Sequence, residues 1–161
     1  MMHPSIVSST SAICLVGGAP VADAVFAVVS PYVAGFVGVD GGADHLLAGG
    51  IAPMAVIGDL DSVSTQARAA FAGCLWHIPE QDTTDFEKAL TRVTAPFVIA
   101  LGFTGGRMDH ALSVLNVMAR MPDRGVFLVD ADDVSYLAPQ GDSLLDLPAG
   151  TRVSLMPLGD V

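Results

Sequence analysis

Two aspartates at alternate positions follow a short apolar segment near the middle of the chain. The segment 54–57 ends at Gly58, and Asp59 and Asp61 come directly after it. If the backbone stays extended there, the two side chains point to the same side, about 7 Å apart. Two bare charges at that distance repel by roughly 2 kcal/mol at an effective dielectric constant of about 20. A divalent cation that prefers oxygen ligands, such as Mg²⁺, turns this repulsion into attraction, whereas a solvated turn is the alternative interpretation.

Further acidic residues follow other apolar segments in the same way, namely Asp40, Asp82, Asp85 and Asp109. In open α/β sheets the carboxyl ends of parallel strands form the edge at which ligands bind. Solvated surface acids would be scattered over both ends of a sheet, so this pattern predicts one shared site. Asp82 and Asp85 lie three residues apart, which places them on one face at the positive end of a predicted helix. Ordinary helix capping is the alternative for this pair.

Glycine-rich segments accompany these acids and indicate an anionic ligand. Asp40-Gly41-Gly42 joins a carboxylate to residues that allow close approach to the backbone, although a strand-to-helix turn explains the same residues. In the segment 102–110 the glycines free backbone amides that can surround an anion, and Arg107 presents a fork of donors suited to phosphate oxygens. Asp109 and His110 are expected to orient Arg107 or to bond a ligand. The segment is not a Walker loop, because no Gly-Lys-Ser/Thr follows.

Short apolar segments predict the strands that deliver these loops, at residues 12–16, 33–39, 54–57, 75–78, 97–101 and 126–129. Helical spacing between them predicts helices, most clearly one opened by Asp82 or Thr83 and another over 108–121. The alternation predicts an α/β fold with three αβα layers, Rossmann-like, around a mainly parallel sheet of about six strands. Strand-like pieces then follow at 134–137, 143–147 and 152–155. We therefore expect a catalytic α/β domain at 1–132 and a β-rich segment at 133–161.

Composition narrows the class of protein. The 161 residues carry seven Lys plus Arg against 17 Asp plus Glu, a net charge of -10, which argues against nucleic acid or an anionic membrane as partner. No apolar run approaches the roughly 20 residues that span a bilayer, and residues 1–11 lack the basic residues of a signal peptide. We therefore expect a cytoplasmic protein. Cys14 and Cys74 are expected to be small buried hydrophobic residues rather than a disulfide or zinc site.

Four motifs, in this order and spacing, resemble those of the thiamine pyrophosphokinase (thiamine diphosphokinase) family. They are Asp40-Gly41-Gly42-Ala43, Gly58-Asp59-Leu60-Asp61-Ser62, Gln81-Asp82-Thr83-Thr84-Asp85-Phe86 and Gly105-Gly106-Arg107-Met108-Asp109-His110. Each motif alone is weak, but four in order are specific. The resemblance extends from about residue 13 to about residue 158 and implies the family's catalytic domain. The family's C-terminal β-sandwich, which helps to hold thiamine, is expected to be largely missing.

The resemblance also implies an activity, its cofactors and its site residues. The activity is ATP-dependent transfer of a pyrophosphoryl group to the hydroxyl of thiamine, giving thiamine diphosphate and AMP in a homodimer. Mg²⁺ is expected on Asp59, Asp61 and Asp85, which with Arg107 form the implied catalytic set, and Gln81 and Asp82 are expected near thiamine and the phosphates. From the clustering of the carboxylates we expect Asp85 or Asp82 to accept the hydroxyl proton. Residues implied in binding ATP are Asp40, Gly41, Gly42, Thr84, Gly105, Gly106, Arg107, Asp109 and His110.

Two other functions remain open at this point. A Mg²⁺-dependent nucleotidyl or glycosyl transferase would use Asp59 and Asp61 as its metal motif, but it leaves the segment 105–110 unexplained. A non-catalytic nucleotide-binding remnant would bind ATP without converting thiamine. Product analysis separates them, because release of AMP supports pyrophosphoryl transfer and release of a nucleoside diphosphate from a sugar nucleotide does not.

Overall fold

The computed structural model describes residues 4–158, and short strands alternating with helices make up most of the chain to residue 136. In chain order the strands are β1 (Val7–Ser8), β2 (Ile13–Val16), β3 (Gly35–Val39), β4 (Ala55–Gly58), β5 (Leu75–His77), β6 (Val93–Thr94), β7 (Val98–Leu101), β8 (Val126–Val129) and β9 (Val134–Tyr136). The helices are α1 (Asp23–Val29), α2 (Gly42–Ala48), α3 (Thr65–Ala70), α4 (Asp85–Leu90) and α5 (Met108–Arg120). None of the helices in the described part is long and apolar enough to cross a membrane.

Seven strands form one mixed sheet in the order β5-β4-β3-β2-β7-β8-β9, and β1 pairs separately with β6. All neighbours in the large sheet are parallel except β8 and β9, which are antiparallel. The predicted α/β fold with a mainly parallel sheet is therefore confirmed, and β9 adds an antiparallel edge. After β2 the chain adds β3, β4 and β5 on one side of that strand, and it then adds β7, β8 and β9 on the other side. This reversal between β2 and β7 leaves a crevice at their carboxyl ends, where ligands bind in such sheets.

The central strand β2 is buried on both faces, as its apolar sequence requires. Ile13 and Leu15 belong to a core cluster that includes residues of α4 and α5, such as Phe86 and Val117. The alternate residues Cys14 and Val16 belong to a second cluster with residues of α1 and α2. Cys14 is a free thiol that is completely buried, and burial raises its pKa well above the ordinary value. Its expected role as a small buried hydrophobic residue is confirmed.

Helix α4 begins later than predicted. Thr84, rather than Asp82 or Thr83, is its N-cap, and the Thr84 hydroxyl accepts a hydrogen bond from the Glu87 amide at 3.2 Å. The two preceding residues form a turn because the carboxylate of Glu80 accepts the backbone N–H groups of Asp82 at 2.8 Å and Thr83 at 3.0 Å. Asp82 therefore lies outside the helix, and the predicted shared helical face for Asp82 and Asp85 is wrong.

The predicted strands at 143–147 and 152–155 are also wrong, since residues 137–158 contain no strand. Their apolar side chains are exposed: Leu144 is 98% and Leu155 91% accessible. A strand gains its stability from a neighbouring strand and from a buried face, and in the described chain this segment has neither. Only the first piece of the expected β-rich segment forms, as β9.

Candidate active site

The loops at the carboxyl ends of five strands surround a cavity of about 770 Å³. Its walls come from the loops after β2, β3, β4, β5 and β7 and from the first turns of α4 and α5. The sequence-predicted residues that line it are Asp40, Gly41, Asp59, Gln81, Thr84, Asp85, Gly106, Arg107 and His110. Those that do not line it are Gly42, Asp61, Asp82, Gly105 and Asp109. The convergence that the strand-end pattern predicts is therefore present for most of the set.

Three carboxylates cluster at one edge of this cavity, its acidic side: Asp40 and Asp59 line the cavity, and Asp61 lies beside them. Asp40, Asp59 and Asp61 each present one oxygen atom, and these atoms lie within 4.8 Å of one another. Adjacent oxygen ligands of one octahedral Mg²⁺ are about 3 Å apart, so the three carboxylates would have to move closer together to hold that ion. Asp85, which the resemblance implies as a ligand, lies beside the trio, and its Oδ1 accepts the backbone N–H of Asp59 at 3.2 Å.

The stretch that carries Asp59 and Asp61 is not extended, contrary to the sequence-based expectation. Leu60 between them has a φ of 65°, and the Asp61 amide donates to Asp59 Oδ1 at 3.2 Å. A left-handed backbone is unfavourable for leucine, and strain of this kind persists only where the surroundings enforce it. Here the turn buries Leu60 to 4% exposure among Val63 and its neighbours. Both carboxylates still reach the same place, because the turn rather than the pleat brings them together.

Asp40 also has left-handed backbone, with a φ of 45°, at the point where β3 turns into the loop before α2. Its carboxylate is buried and accepts the Ser62 amide at 3.4 Å, which links this loop to the one after β4. Burial raises the pKa of Asp40 above its ordinary value, although hydrogen bonds from Ser62 and Gly41 act in the opposite direction. The negative charge of Asp85 adds to the upward shift.

Asp59 is shifted in the opposite direction. The side-chain amide of Gln81 donates to Asp59 Oδ2 at 3.0 Å and is the main reason why the pKa of Asp59 lies below its ordinary value. The Asp61 amide and the positive charge of Lys88 lower this pKa further, whereas desolvation raises it. Gln81 therefore contacts the acidic cluster directly and helps to keep Asp59 charged.

Sequence reasoning missed Lys88, the single lysine of the chain. Its side chain is 2% exposed, yet it lines the cavity and its Nζ lies 2.9 Å from Asp85 Oδ1 and 3.8 Å from Asp59 Oδ2. The available signal was the spacing alone, because a lysine three residues after Asp85 shares its helix face and can pair with it.

The loop at Gly17-Gly18, which is not part of the four sequence motifs, also belongs to the cavity wall. It lines the cavity at the strand-order reversal and packs against Gly102, backbone on backbone. A Cβ on Gly17 would lie 2.5 Å from the Gly102 carbonyl oxygen, which only glycine avoids. The position of this loop at the crevice follows from the sheet order, which the sequence alone does not reveal.

The other side of the cavity carries Arg107, which is 71% exposed. Its guanidinium makes a two-pronged ion pair with Asp109, with Nε 3.1 Å from Oδ1 and Nη2 2.5 Å from Oδ2. This pairing lowers the pKa of Asp109 and agrees with the expectation that Asp109 orients Arg107. Phe103, in the same loop, packs edge-on against Phe86 of α4 with ring centroids 4.8 Å apart.

Comparison with known proteins connects this geometry to one family. The family described as "Thiamin pyrophosphokinase, catalytic domain" matches residues 33–128, which include every candidate residue from Asp40 to His110. The chain belongs to the thiamin pyrophosphokinase family. The family resemblance inferred from the four motifs is thereby confirmed.

Individual relatives agree with this membership. Thiamin pyrophosphokinase 1 of Caenorhabditis elegans is 32% identical over 106 residues, 59% of this chain and 43% of that protein. Thiamine pyrophosphokinase of Bacillus subtilis is 30% identical over 135 residues, 78% of this chain and 63% of that protein. The chain thus spans less than half of the length of some curated relatives: 43% of the Caenorhabditis elegans protein and 38% of thiamine pyrophosphokinase 3 of Oryza sativa subsp. japonica.

Solved structures of the family share the fold. Thiamin pyrophosphokinase from Geobacillus thermodenitrificans superimposes with a TM-score of 0.64 at 32% identity, covering 76% of this chain and 61% of that one. The enzyme from Candida albicans gives a TM-score of 0.65 at 15% identity, covering 81% of this chain and 63% of that one, a likeness of fold alone.

Proposed function

We propose that this chain catalyses ATP-dependent transfer of a pyrophosphoryl group to the hydroxyl of thiamine, giving thiamine diphosphate and AMP. The observation that carries the proposal is the cluster of Asp40, Asp59 and Asp61 at the edge of one cavity, which Asp40 and Asp59 line, in a chain that belongs to the thiamin pyrophosphokinase family. The volume of about 770 Å³ falls within the range of small-molecule sites. The alternative nucleotidyl or glycosyl transferase is not favoured, since the relatives named above carry thiamine pyrophosphokinase names.

The metal is part of the proposal. We assign Asp59 and Asp61 as the Mg²⁺ ligands, with Asp40 as the third oxygen donor by proximity and Asp85 as the further candidate that the resemblance implies. When bound, Mg²⁺ would neutralise charge on the transferring phosphates. Support for this assignment is the donor set itself, because carboxylate oxygens are the ligands that hard divalent cations prefer.

The residues of the chain have distinct proposed roles around the phosphates. In the reaction, the thiamine hydroxyl oxygen bonds to the β-phosphorus as the bond from that phosphorus to the bridging oxygen of the α-phosphate breaks, so AMP leaves. Arg107 offers its guanidinium to phosphate oxygens, and the glycine loops 17–18 and 102–106 offer backbone amides. The hydroxyl proton passes to Asp85 rather than Asp82, because Asp85 lines the cavity and Asp82 does not. A loose transition state demands little of this base.

The remaining assignments follow from the same proposal. ATP and thiamine are the partners, with Gln81 near the reacting phosphates, and residues 1–132 are the catalytic part that contains every proposed site residue. We propose a cytoplasmic homodimer, supported by the absence of any membrane-spanning helix from residues 4–158 and by exposed leucines in residues 137–158 that suit a covered surface.

Product analysis tests the function directly. The chain is incubated with ATP, Mg²⁺ and thiamine, and the products are separated by chromatography. Thiamine diphosphate and AMP in equal amounts are the expected result. Release of ADP without thiamine diphosphate would contradict the proposal, and ATP binding with no turnover would favour the non-catalytic remnant. The Asp59→Asn variant is the control for background activity.

A further inference from the structure

The charge balance on the acidic side of the cavity depends on one residue. Asp40, Asp59, Asp61 and Asp85 bring carboxylates together, and among the salt bridges of residues 4–158 only those of Lys88 involve them. The side chain of Lys88 is 2% exposed. A buried ammonium loses its hydration and is stable only where carboxylates replace that hydration.

The contacts of Lys88 connect two elements of the site. Asp85 Oδ1, in the first turn of α4, accepts a hydrogen bond from Lys88 Nζ at 2.9 Å and another from the Asp59 amide at 3.2 Å. Lys88 Nζ also lies 3.8 Å from Asp59 Oδ2. One ammonium therefore joins the start of α4 to the turn after β4, and both carboxylates keep one arrangement.

The other ion pairs of the described residues are different in kind. The arginines of Arg107–Asp109, Arg120–Glu87 and Arg152–Asp133 are 71%, 49% and 71% exposed. Exposed pairs contribute little because water and salt screen them, whereas loss of one partner from a buried pair leaves an uncompensated charge. Among these ion pairs, only those of Lys88 have both partners in the lining of the cavity.

We propose that Lys88 is a positioning residue that holds the Asp59 and Asp85 carboxylates in the arrangement that receives a magnesium-bound polyphosphate. The inference rests on the proposed function for its ligand. According to this proposal the site needs one buried cation, Lys88, in addition to the carboxylates. The chain provides it at its only lysine position.

A spectroscopic test uses the unchanged chain. Since the sequence has a single lysine, labelling with ¹⁵N-lysine gives one side-chain ammonium signal in the NMR spectrum, with no need for assignment. We expect ammonium protons protected from exchange, and a saturable shift of the signal when Mg²⁺ and an ATP analogue with a methylene α,β-bridge are added. The Asp85→Asn variant should lose the protection. A signal that exchanges like free lysine, or one unaffected by the added ligand, would overturn the proposal.

A kinetic test compares Lys88→Met with Arg120→Met, which removes a cation of α5 from an exposed ion pair with Glu87 of α4. We expect kcat of Lys88→Met to fall roughly 100-fold, the cost of an ångström-scale misplacement, while KM for thiamine stays within about threefold. A Lys88→Met enzyme as active as Arg120→Met, with both folded by circular dichroism, would contradict the role. If Lys88→Met does not fold, the spectrum of the unchanged chain decides. If no thiamine diphosphate forms at all, the NMR response still separates failure of the function from failure of the Lys88 assignment.

Discussion

The two sides of the cavity differ in how firmly the protein holds their functional groups. On the acidic side, Asp40 and Lys88 are buried, and Asp59 is held by Gln81 and by the Asp61 amide. On the opposite side, the side chain of Arg107 is 71% exposed, and its guanidinium pairs with Asp109, two residues along the chain. The acidic side is therefore organised by the fold itself, whereas Arg107 is free to adjust to a ligand.

This difference assigns the two sides separate tasks in the proposed reaction. Groups fixed before the substrate arrives stabilise a transition state without reorganisation, and their loss lowers kcat. Groups that become ordered with the substrate contribute to binding in ground and transition state alike, and their loss raises KM. Variants on each side test whether this division is correct.

The largest effect is expected for Asp59→Asn. Loss of one charged ligand from the preorganised side should lower kcat about 10³-fold, a size typical for removal of a transition-state contact. The fold should survive, because the amide can still accept the Gln81 hydrogen bond. Steady-state kinetics at saturating Mg²⁺ measures the loss, and Asp142→Asn, in the exposed segment 137–158, is the matched control. Near-normal turnover of Asp59→Asn would show that the metal assignment is wrong.

The next effect concerns the backbone packing under the acidic side. A Cβ at Gly42 would lie 1.7 Å from the Val16 carbonyl oxygen, so Gly42→Ala must separate the start of α2 from the end of β2. We expect the free energy of unfolding to fall by about 3 kcal/mol, in the range for overpacking. Gly73→Ala is the control, because nothing lies within 4 Å of its Cβ. Urea unfolding measures both, and equal stability would mean that the acidic side is less firmly held than the structure indicates.

Arg107→Ala should have a smaller effect and of a different kind. Loss of a solvent-exposed guanidinium that binds phosphate should raise KM for ATP about 30-fold and lower kcat less. Arg107→Lys keeps the positive charge but loses the two-pronged donor geometry, so its KM for ATP should lie between those of the wild type and Arg107→Ala. Arg152→Ala, from another exposed ion pair, is the control. A fall in kcat with unchanged KM would remove the proposed division between the two sides.

Sequence reasoning succeeded where the pattern is local and physical. Short apolar segments predict strands, and the six predicted strands of the sheet are present; of the acidic residues that follow them, Asp40, Asp59 and Asp85 line one cavity. β1 and β6 were missed because two-residue strands are too short to show a period. The strand predicted at 143–147 does not form, because a strand-like sequence does not by itself supply a neighbouring strand to pair with.

The features that sequence reasoning missed depend on contacts between distant parts of the chain. Lys88 reads as a solvent-facing helix residue until Asp59 and Asp85 are placed beside it. The turn at Leu60 depends on a buried position that only the packed structure supplies. The place of Gly17-Gly18 in the cavity wall depends on the reversal of strand order between β2 and β7.

The smallest effect is a difference in pH dependence within the acidic side. The pKa of Asp59 is lowered in the fold, so Asp59 contributes stability above its unfolded pKa, and this is lost as the pH falls through the folded value. The pKa of Asp40 is raised, so its contribution is present below the unfolded pKa and is lost as the pH rises through the folded value. Without metal, Asp40→Asn should therefore stabilise the protein more at pH about 7 than at pH about 3, and Asp59→Asn should do the opposite. Thermal unfolding at the two pH values, with a chelator present, measures both variants. If they respond to pH in the same direction, burial at Asp40 and hydrogen bonding at Asp59 do not have the opposed effects on which the preorganised acidic side depends.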